Sequence, residues 1–439
     1  MGNYLVNPKS VQKEMLDKIG VSTMEDLFVD IPKELKLTSD LNIPAGKSEL
    51  EVLREMKALA AENKIYNTIF RGAGAYRHFI PSVVNHLASK SEFVTAYTPY
   101  QPEISQGTLQ TIFEYQTAIC ELTGLEVSNA SVYDGATAAG EAVLMSMARR
   151  KEKVLVSAAS DPNVIEVIKQ YGQSIGYEVV LIDVVDFKTD INHLKQLLTT
   201  EVACVYIPQI NYYGYLEDFV GIAESVQAVS AKLIVGVYPI AAALLPSARE
   251  LGADIAVGEA QPLGLPLGFG GPYIGFMATT KKMMRLLPGR IVGMAPDSEG
   301  RRSFVLTLQA REQHIRREKA ISSICSNQSL MATRVAIYCA TVGASGLRQV
   351  AQASTDLAHY LHRQLSTIKG FEPVVGEFFN EFVVKTDCHP KLIEQVLDQH
   401  GILAGYPLNT NTSLWCATEM NTKAEIDELV EILKGAELC

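Results

Sequence analysis

VACVYIPQINYYGYLEDFVGIAESVQAVSAKLIVGV, residues Val202–Val237, holds two short apolar runs, VACVYI (Val202–Ile207) and KLIVGV (Lys232–Val237). Between them, after Asp218, the apolar residues take helical spacing. A strand with one wet face alternates apolar and polar residues, whereas these runs are apolar almost throughout. That is the mark of strands buried on both faces. Two such strands joined by a helix form a parallel pair.

The same rhythm continues on both sides. KVLVS (Lys153–Ser157), a helix from Asn163 and EVVLI (Glu178–Ile182) precede it, and ADIAVG (Ala253–Gly258) and YIGFM (Tyr273–Met277) follow. Residues 71–330 therefore read as one large α/β domain with a mostly parallel sheet. The first 70 residues read as helical surface segments, with an S-x-x-E capping box at Ser48 and Glu51 followed by Val52, Met56 and Leu59. A second amphipathic helix is expected over Thr108–Leu122, with Leu109, Ile112, Phe113 and Cys120 on one face and Gly124 closing it. Beyond Asn327 a long small-residue-rich helix, EFVVK (Glu381–Lys385), a helix near Leu392–Gln399, SLWCA (Ser413–Ala417) and a terminal helix read as a smaller α+β domain, 331–439.

Composition narrows the function. The 439 residues carry 39 Lys+Arg against 49 Asp+Glu, a net charge of −10, which argues against a nucleic-acid wrap. The 47% hydrophobic content argues against disorder. No uninterrupted apolar run has the length of a membrane span. MGNYLVNPKS has no apolar secretory core, and Val6 stands where a myristoylation signal needs Ser or Thr. Seven cysteines (Cys120, Cys204, Cys325, Cys339, Cys388, Cys416, Cys439) form no C-x-x-C pair and have no histidine at ligand spacing, so they read as thiols of a reducing compartment, without metal. The expectation is a cytoplasmic globular protein.

Four stretches are candidates for chemistry. DGATAAGEA (Asp134–Ala142) runs from a strand-like ASVY into a helix, and small residues at Gly135 and Thr137 suit either a phosphate at the helix N-terminus or close helix–sheet packing. TPYQPEISQG (Thr98–Gly107) sets Tyr97, Tyr100, Gln101, Glu103, Ser105 and Gln106 in a proline-fixed loop, suited to orienting a small polar substrate or to packing on the core. PLGLPLGFGGP (Pro262–Pro272) permits close backbone approach or forms a surface turn. AREQHIRREKA (Ala310–Ala320) clusters Arg311, His314, Arg316 and Arg317 among acidic residues, as either a solvated ion-paired surface or a docking face. The eight histidines form no triad, and no Walker loop, G-x-S-x-G elbow or GxGxxG fingerprint is present.

The domain plan resembles aspartate-aminotransferase-like, fold type I pyridoxal-phosphate (PLP) enzymes. TPYQPEISQG, Tyr115–Ala142, GFGGPYIGF (Gly268–Phe276), PGRIVG (Pro288–Gly293) and LQAREQHIRREKAISSIC (Leu308–Cys325) together resemble the N-terminal half of glycine dehydrogenase (decarboxylating), the P-protein family of the glycine cleavage system. The resemblance implies that glycine is decarboxylated through PLP and its aminomethyl group passed to the lipoyl arm of H-protein. It also implies a two-chain enzyme, whose first subunit is this chain and whose PLP-bearing sister is a second, assembled as a dimer of two-chain units.

A PLP site needs a lysine for the Schiff base and an acid beside the pyridine nitrogen. The stretch after ADIAVG reads Glu259-Ala260-Gln261-Pro262, with the nearest downstream lysines, Lys281 and Lys282, beyond the next strand. The end of KLIVGV offers Gly236, Val237 and Tyr238 where the acid belongs. The resemblance therefore implies a chain without its own PLP that completes the sister's site. The residues of TPYQPEISQG would form the catalytic wall, and the arginine-rich segment would face H-protein or the sister subunit. The alternatives are a non-catalytic scaffold or regulator of the same fold, and a self-sufficient PLP enzyme using an unorthodox lysine.

Overall fold

The computed structural model describes residues 7–95, 97–311, 313–320, 324 and 328–436. Cys325, Cys439 and Glu312 lie outside the described residues. The chain divides into two compact units, Met1–Ile65 and Tyr66–Cys439.

The first unit contains α1 (Lys9–Ile19) and α2 (Glu49–Ala61). The capping box of α2 forms as its sequence implies, with the Ser48 hydroxyl accepting from the Glu51 N–H and the Glu51 carboxylate accepting from the Ser48 N–H. Neither helix buries a side chain. Met24, Leu27, Phe28, Val29, Leu35, Leu37, Ile43 and Met56 are among the exposed apolar residues of this unit.

The second unit begins its framework with α3 (Pro102–Thr123), β1 (Val127–Ser128) and α4 (Gly135–Ser146). It continues through β2 (Lys153–Ser157), α5 (Pro162–Ile175), β3 (Glu178–Ile182), β4 (Val202–Pro208), α6 (Ile222–Ala228), β5 (Lys232–Gly236), β6 (Ile255–Glu259) and β7 (Gly275–Thr279). These strands form one seven-stranded sheet in the order β1-β7-β6-β5-β4-β2-β3. β2 to β6 and β3 pair in parallel, while β7 runs antiparallel to β6 and β1. Every residue of β4 is buried. Along β4 and β5 the side chains alternate between two cores: Val205, Ile207, Leu233 and Val235 pack on one face, and Cys204, Tyr206 and Ile234 on the other. This double burial is the reason the strands are continuously apolar.

A hairpin of β8 (Ile291–Pro296) and β9 (Arg302–Thr307) follows, then α7 (Ser329–Leu365), broken at Gly343, whose φ is 61°. By length and composition α7 could cross a bilayer. Its face of Ala332, Val335, Leu347 and Ala351 instead packs into the main core, and Ala358, Leu361 and Leu365 into a second one. That second core lies on a four-stranded antiparallel sheet, β10 (Phe371–Pro373), β11 (Glu381–Thr386), β12 (Tyr406–Pro407) and β13 (Thr412–Cys416), in the order β10-β11-β13-β12. α8 (Pro390–Gln399) and α9 (Lys423–Gly435) cover it.

Three expectations change in detail. α3 starts at Pro102, inside the stretch read as a loop, because proline at the first helical position is already preset for helix. The irregularity falls at Ser105, whose φ is −120°. The buried face of α3 is Leu109, Ile112, Tyr115, Gln116, Ile119 and Thr123, leaving Phe113 and Cys120 half-buried. The ASVY segment makes only a bridge from Val132 to Gly275, and the strand lies just before it at Val127–Ser128. The β8–β9 hairpin was not anticipated.

Two glycines in left-handed backbone differ in the room around them. Gly214 has φ 89°, and a Cβ there would lie 1.9 Å from the Glu381 carbonyl oxygen. Gly176, at φ 94°, has open space around it. Gly176→Ala should therefore cost only the left-handed strain, roughly 1–2 kcal/mol. Gly214→Ala adds a backbone collision and should cost more than about 3 kcal/mol. Thermal unfolding of the two variants reads the difference, and equal losses would contradict it.

Candidate functional site

In an open α/β sheet, the crevice outside the carboxyl ends of the parallel strands is where helix N-termini and strand-end loops converge. Here it holds a cavity of about 490 Å³. β4 contributes Tyr206 and Pro208, the end of β5 Gly236, Val237 and Tyr238, and β6 and the following turn Gly258, Glu259, Gln261 and Pro262. The first turns of α4 and α5 add Asp134, Gly135, Asp161 and Asn163, and Tyr76 and Tyr273 close the sides. No lysine, arginine or histidine is among the lining residues.

Several polar groups of the lining are held by hydrogen bonds within the chain. The Glu259 carboxylate accepts from the Gly135 N–H at 2.9 Å on one oxygen, and from the Gln261 and Ile274 N–H groups at 2.9 and 3.2 Å on the other. Burial pushes its pKa up to about 7, against the three N–H bonds that lower it, with Asp134 adding to the rise. Asp134 caps α4 by accepting from the Thr137 N–H at 2.7 Å, and Asp161 caps α5 through the Asn163 N–H at 2.8 Å. Burial raises the Asp161 pKa as well. The Tyr76 hydroxyl donates to Glu381 at 2.7 Å, and the Ala73 N–H donates to the other Glu381 oxygen at 2.6 Å. Tyr238 packs against Tyr76 with the rings tilted by 43° and their centroids 4.9 Å apart. Its hydroxyl meets His78 Nε2, and His78 Nδ1 lies 2.7 Å from Glu419.

The residues singled out from sequence fall in different places. Gly135, Gln261 and Pro262 line the cavity. Thr137 contributes its N–H to the Asp134 cap and is not in the wall. Gln261 turns its amide to the Leu265 carbonyl at 2.6 Å. None of Tyr97, Tyr100, Gln101, Glu103, Ser105 and Gln106 lines the cavity. Tyr97, Tyr100, Gln101 and Glu103 are exposed. The Tyr100 hydroxyl accepts from Arg290 at 2.9 Å, and the guanidinium lies 5.1 Å from the ring centre. Gln106 clamps the backbone of Phe304 through two 2.8 Å bonds, tying α3 to β9. In the arginine-rich segment Arg311 is turned inward onto the Leu287 and Gly289 carbonyls, while His314, Arg316 and Arg317 are exposed.

Asp161, Tyr76, Glu381, His78 and Glu419 were not anticipated. Asp161 follows a parallel strand closely, so strand ends were a usable signal for it. Tyr76 and Glu381 are brought together from opposite parts of the chain, which no local pattern reveals.

The architecture is that of the fold type I, aspartate-aminotransferase-like PLP enzymes. A NifS-like protein from Rickettsia africae shares it at a TM-score of 0.61 and 13% identity, with 84% of this chain and 99% of that one covered. A much closer likeness is the crystal structure of glycine decarboxylase (P-protein) of the glycine cleavage system in inhibitor-bound form: TM-score 0.90, 41% identity, 99% of this chain and 100% of that one. The Glycine cleavage system P-protein family profile matches residues 2–433. Proteins named probable glycine dehydrogenase (decarboxylating) subunit 1 are similar along nearly their whole length. That of Desulfitobacterium hafniense is 47% identical with 98% of each chain covered, and that of Carboxydothermus hydrogenoformans 48% identical with 96% and 97% covered. This chain belongs to the glycine cleavage system P-protein family.

The buried carboxyls make stability depend on pH. Burial raises Glu381 from 4.5 to about 7, despite its bonds from Ala73 and Tyr76. A carboxyl raised on folding contributes stability that is fully present below its unfolded pKa and lost as pH rises through the folded one. Glu381→Gln cannot take up that charge. Its unfolding free energy relative to the unsubstituted protein should rise between pH 5 and pH 8, by on the order of 1.4 kcal/mol per unit of pKa shift, as read by denaturant unfolding across that range. A difference constant with pH would contradict this.

Proposed function

We propose that this chain is subunit 1 of a two-chain glycine dehydrogenase (decarboxylating), carries no PLP of its own and completes the active site of a PLP-bearing sister subunit. The lining of the strand-end cavity carries this reading. PLP is held by a Schiff-base lysine, an acid beside the ring nitrogen and amides around its phosphate. This cavity has no lysine in its lining, offers Val237 and Tyr238 at the end of β5, and has the Gly135 N–H already bonded to a carboxylate. The residues do not fit the cofactor.

The reaction implied for the assembly is loss of CO2 from glycine and transfer of the aminomethyl group to the lipoyl arm of H-protein. This chain supplies surface and positioning. Tyr97, Tyr100, Gln101 and Glu103 form the outward wall facing the sister's site, with Arg290 fixing the Tyr100 ring before binding. Gln106 and Ser105 set the shape of that wall from behind, Gln106 through its bonds to Phe304. His314, Arg316 and Arg317 face H-protein. The exposed apolar residues of the first unit are covered by the sister chain, because side chains such as Phe28 and Leu37 gain little by facing water. The assembly is a dimer of two-chain units in the cytoplasm.

Glycine–bicarbonate exchange, assayed with the chain alone and mixed with the sister chain, tests the reading. Exchange is expected only in the mixture, and exchange by the chain alone contradicts it. Tyr97→Ala and Tyr100→Phe should each lower exchange in the mixture, Tyr97→Ala by about 10²-fold, with assembly intact. Unchanged turnover in both would leave the chain as a scaffold.

A further inference from the structure

The first N–H groups of a helix have no partner within it, and in an open α/β crevice they are where an anion is bound. At the start of α4, a helix of 12 residues, the Thr137 N–H goes to the Asp134 cap. The Gly135 N–H goes to Glu259, a side chain delivered from the end of β6 across 124 positions of sequence. The same carboxylate collects the Gln261 and Ile274 N–H groups, so three backbone amides surround it. No ion pair to Glu259 is present among the described residues, nor is any group of His, Cys, Asp and Glu there placed to hold a metal ion. Carboxylate in an amide cradle is the arrangement of a bound anion, and here the anion is covalently part of the chain.

The backbone is shaped to bring the two elements this close. A Cβ on Gly135 would lie 2.9 Å from the Glu259 nitrogen, and one on Gly258 would lie 2.2 Å from the Val237 carbonyl oxygen. A side chain at Gly135 would push the end of β6 off the start of α4, and one at Gly258 would push β6 off the end of β5 and off Phe276.

We propose that Glu259 is a built-in anion that fills the amide cradle at the start of α4, so that the strand-end cavity rejects phosphorylated ligands, and that removing its carboxylate turns the cavity into a phosphate site. The proposal rests on the reading of this chain as the subunit without PLP and goes further, naming the residue that excludes the phosphate. Its test is separate, since it reads binding to this chain and not exchange in the mixture.

The probes are pyridoxine and pyridoxine 5′-phosphate, which share a ring and lack the aldehyde that would tag lysines. Their affinities for the full chain are compared by calorimetry at pH 8.5, where Glu259 is ionised, with folding checked by circular dichroism. The unsubstituted chain should show no preference for the phosphate ester. Glu259→Ala should bind the ester at least roughly tenfold more tightly than the free alcohol, because vacated amides and lost negative charge both favour phosphate. Should Glu259→Ala fail to fold, Glu259→Gln, which keeps an acceptor for the Gly135 N–H, decides: it should gain a smaller preference, about threefold, from loss of charge alone. A phosphate preference in the unsubstituted chain would overturn the proposal, as would a folded variant indifferent to phosphate. Such a result, with exchange still confined to the mixture, would leave the proposed function standing.

Discussion

Amide groups that open a helix need an acceptor, and the meeting of α4 with the end of β6 is organised around that need. Glu259 reaches the Gly135 N–H because Gly135 carries no side chain where the two backbones approach. The approach fixes β6 against α4, and β7 folds back beside β6 so that the Ile274 N–H also reaches the same carboxylate. One half-buried carboxyl thus links three elements at the mouth of the cavity. Moving such a group out of water is costly, and its raised pKa records that cost.

The same economy recurs around the cavity. Tyr76 is spent on Glu381, and Tyr238 on His78, which is itself oriented by Glu419. A cavity that was to hold a cofactor would keep such groups aimed inward. Here they close hydrogen bonds within the chain and tie the large sheet to the four-stranded one, where Glu381 sits on β11. The fold type I architecture is retained as a framework, and under the function proposed above the chemistry of this chain lies at its outer surface, where Tyr97 and Tyr100 are exposed.

Much of the framework was legible in the sequence. Strands buried on both faces are continuously apolar, so β2 to β6 stand out, while a capping box marks the start of α2 and Gly124 the end of α3. The start of α3 was misread because proline punctuates loops and also opens helices, and only the packing of Gln106 on β9 distinguishes the two. The β8–β9 hairpin escaped because its strands carry Gly293 and Pro296 and leave much of their length exposed. Of the site, Gly135, Gln261 and Pro262 were legible as a strand–helix junction and a strand end. The Tyr76–Glu381 and Tyr238–His78–Glu419 contacts were not, since each joins residues distant in sequence.

The central claim is that the cofactor of this assembly belongs to the partner. The visible absorption spectrum of the purified chain with added PLP, taken alone and then with the sister subunit, tests it most directly. The account predicts no Schiff-base band that survives dialysis in the chain alone, and a glycine-responsive band once the two chains are mixed. A dialysis-resistant band in the chain alone would contradict it, because it would require a lysine within this chain that holds PLP.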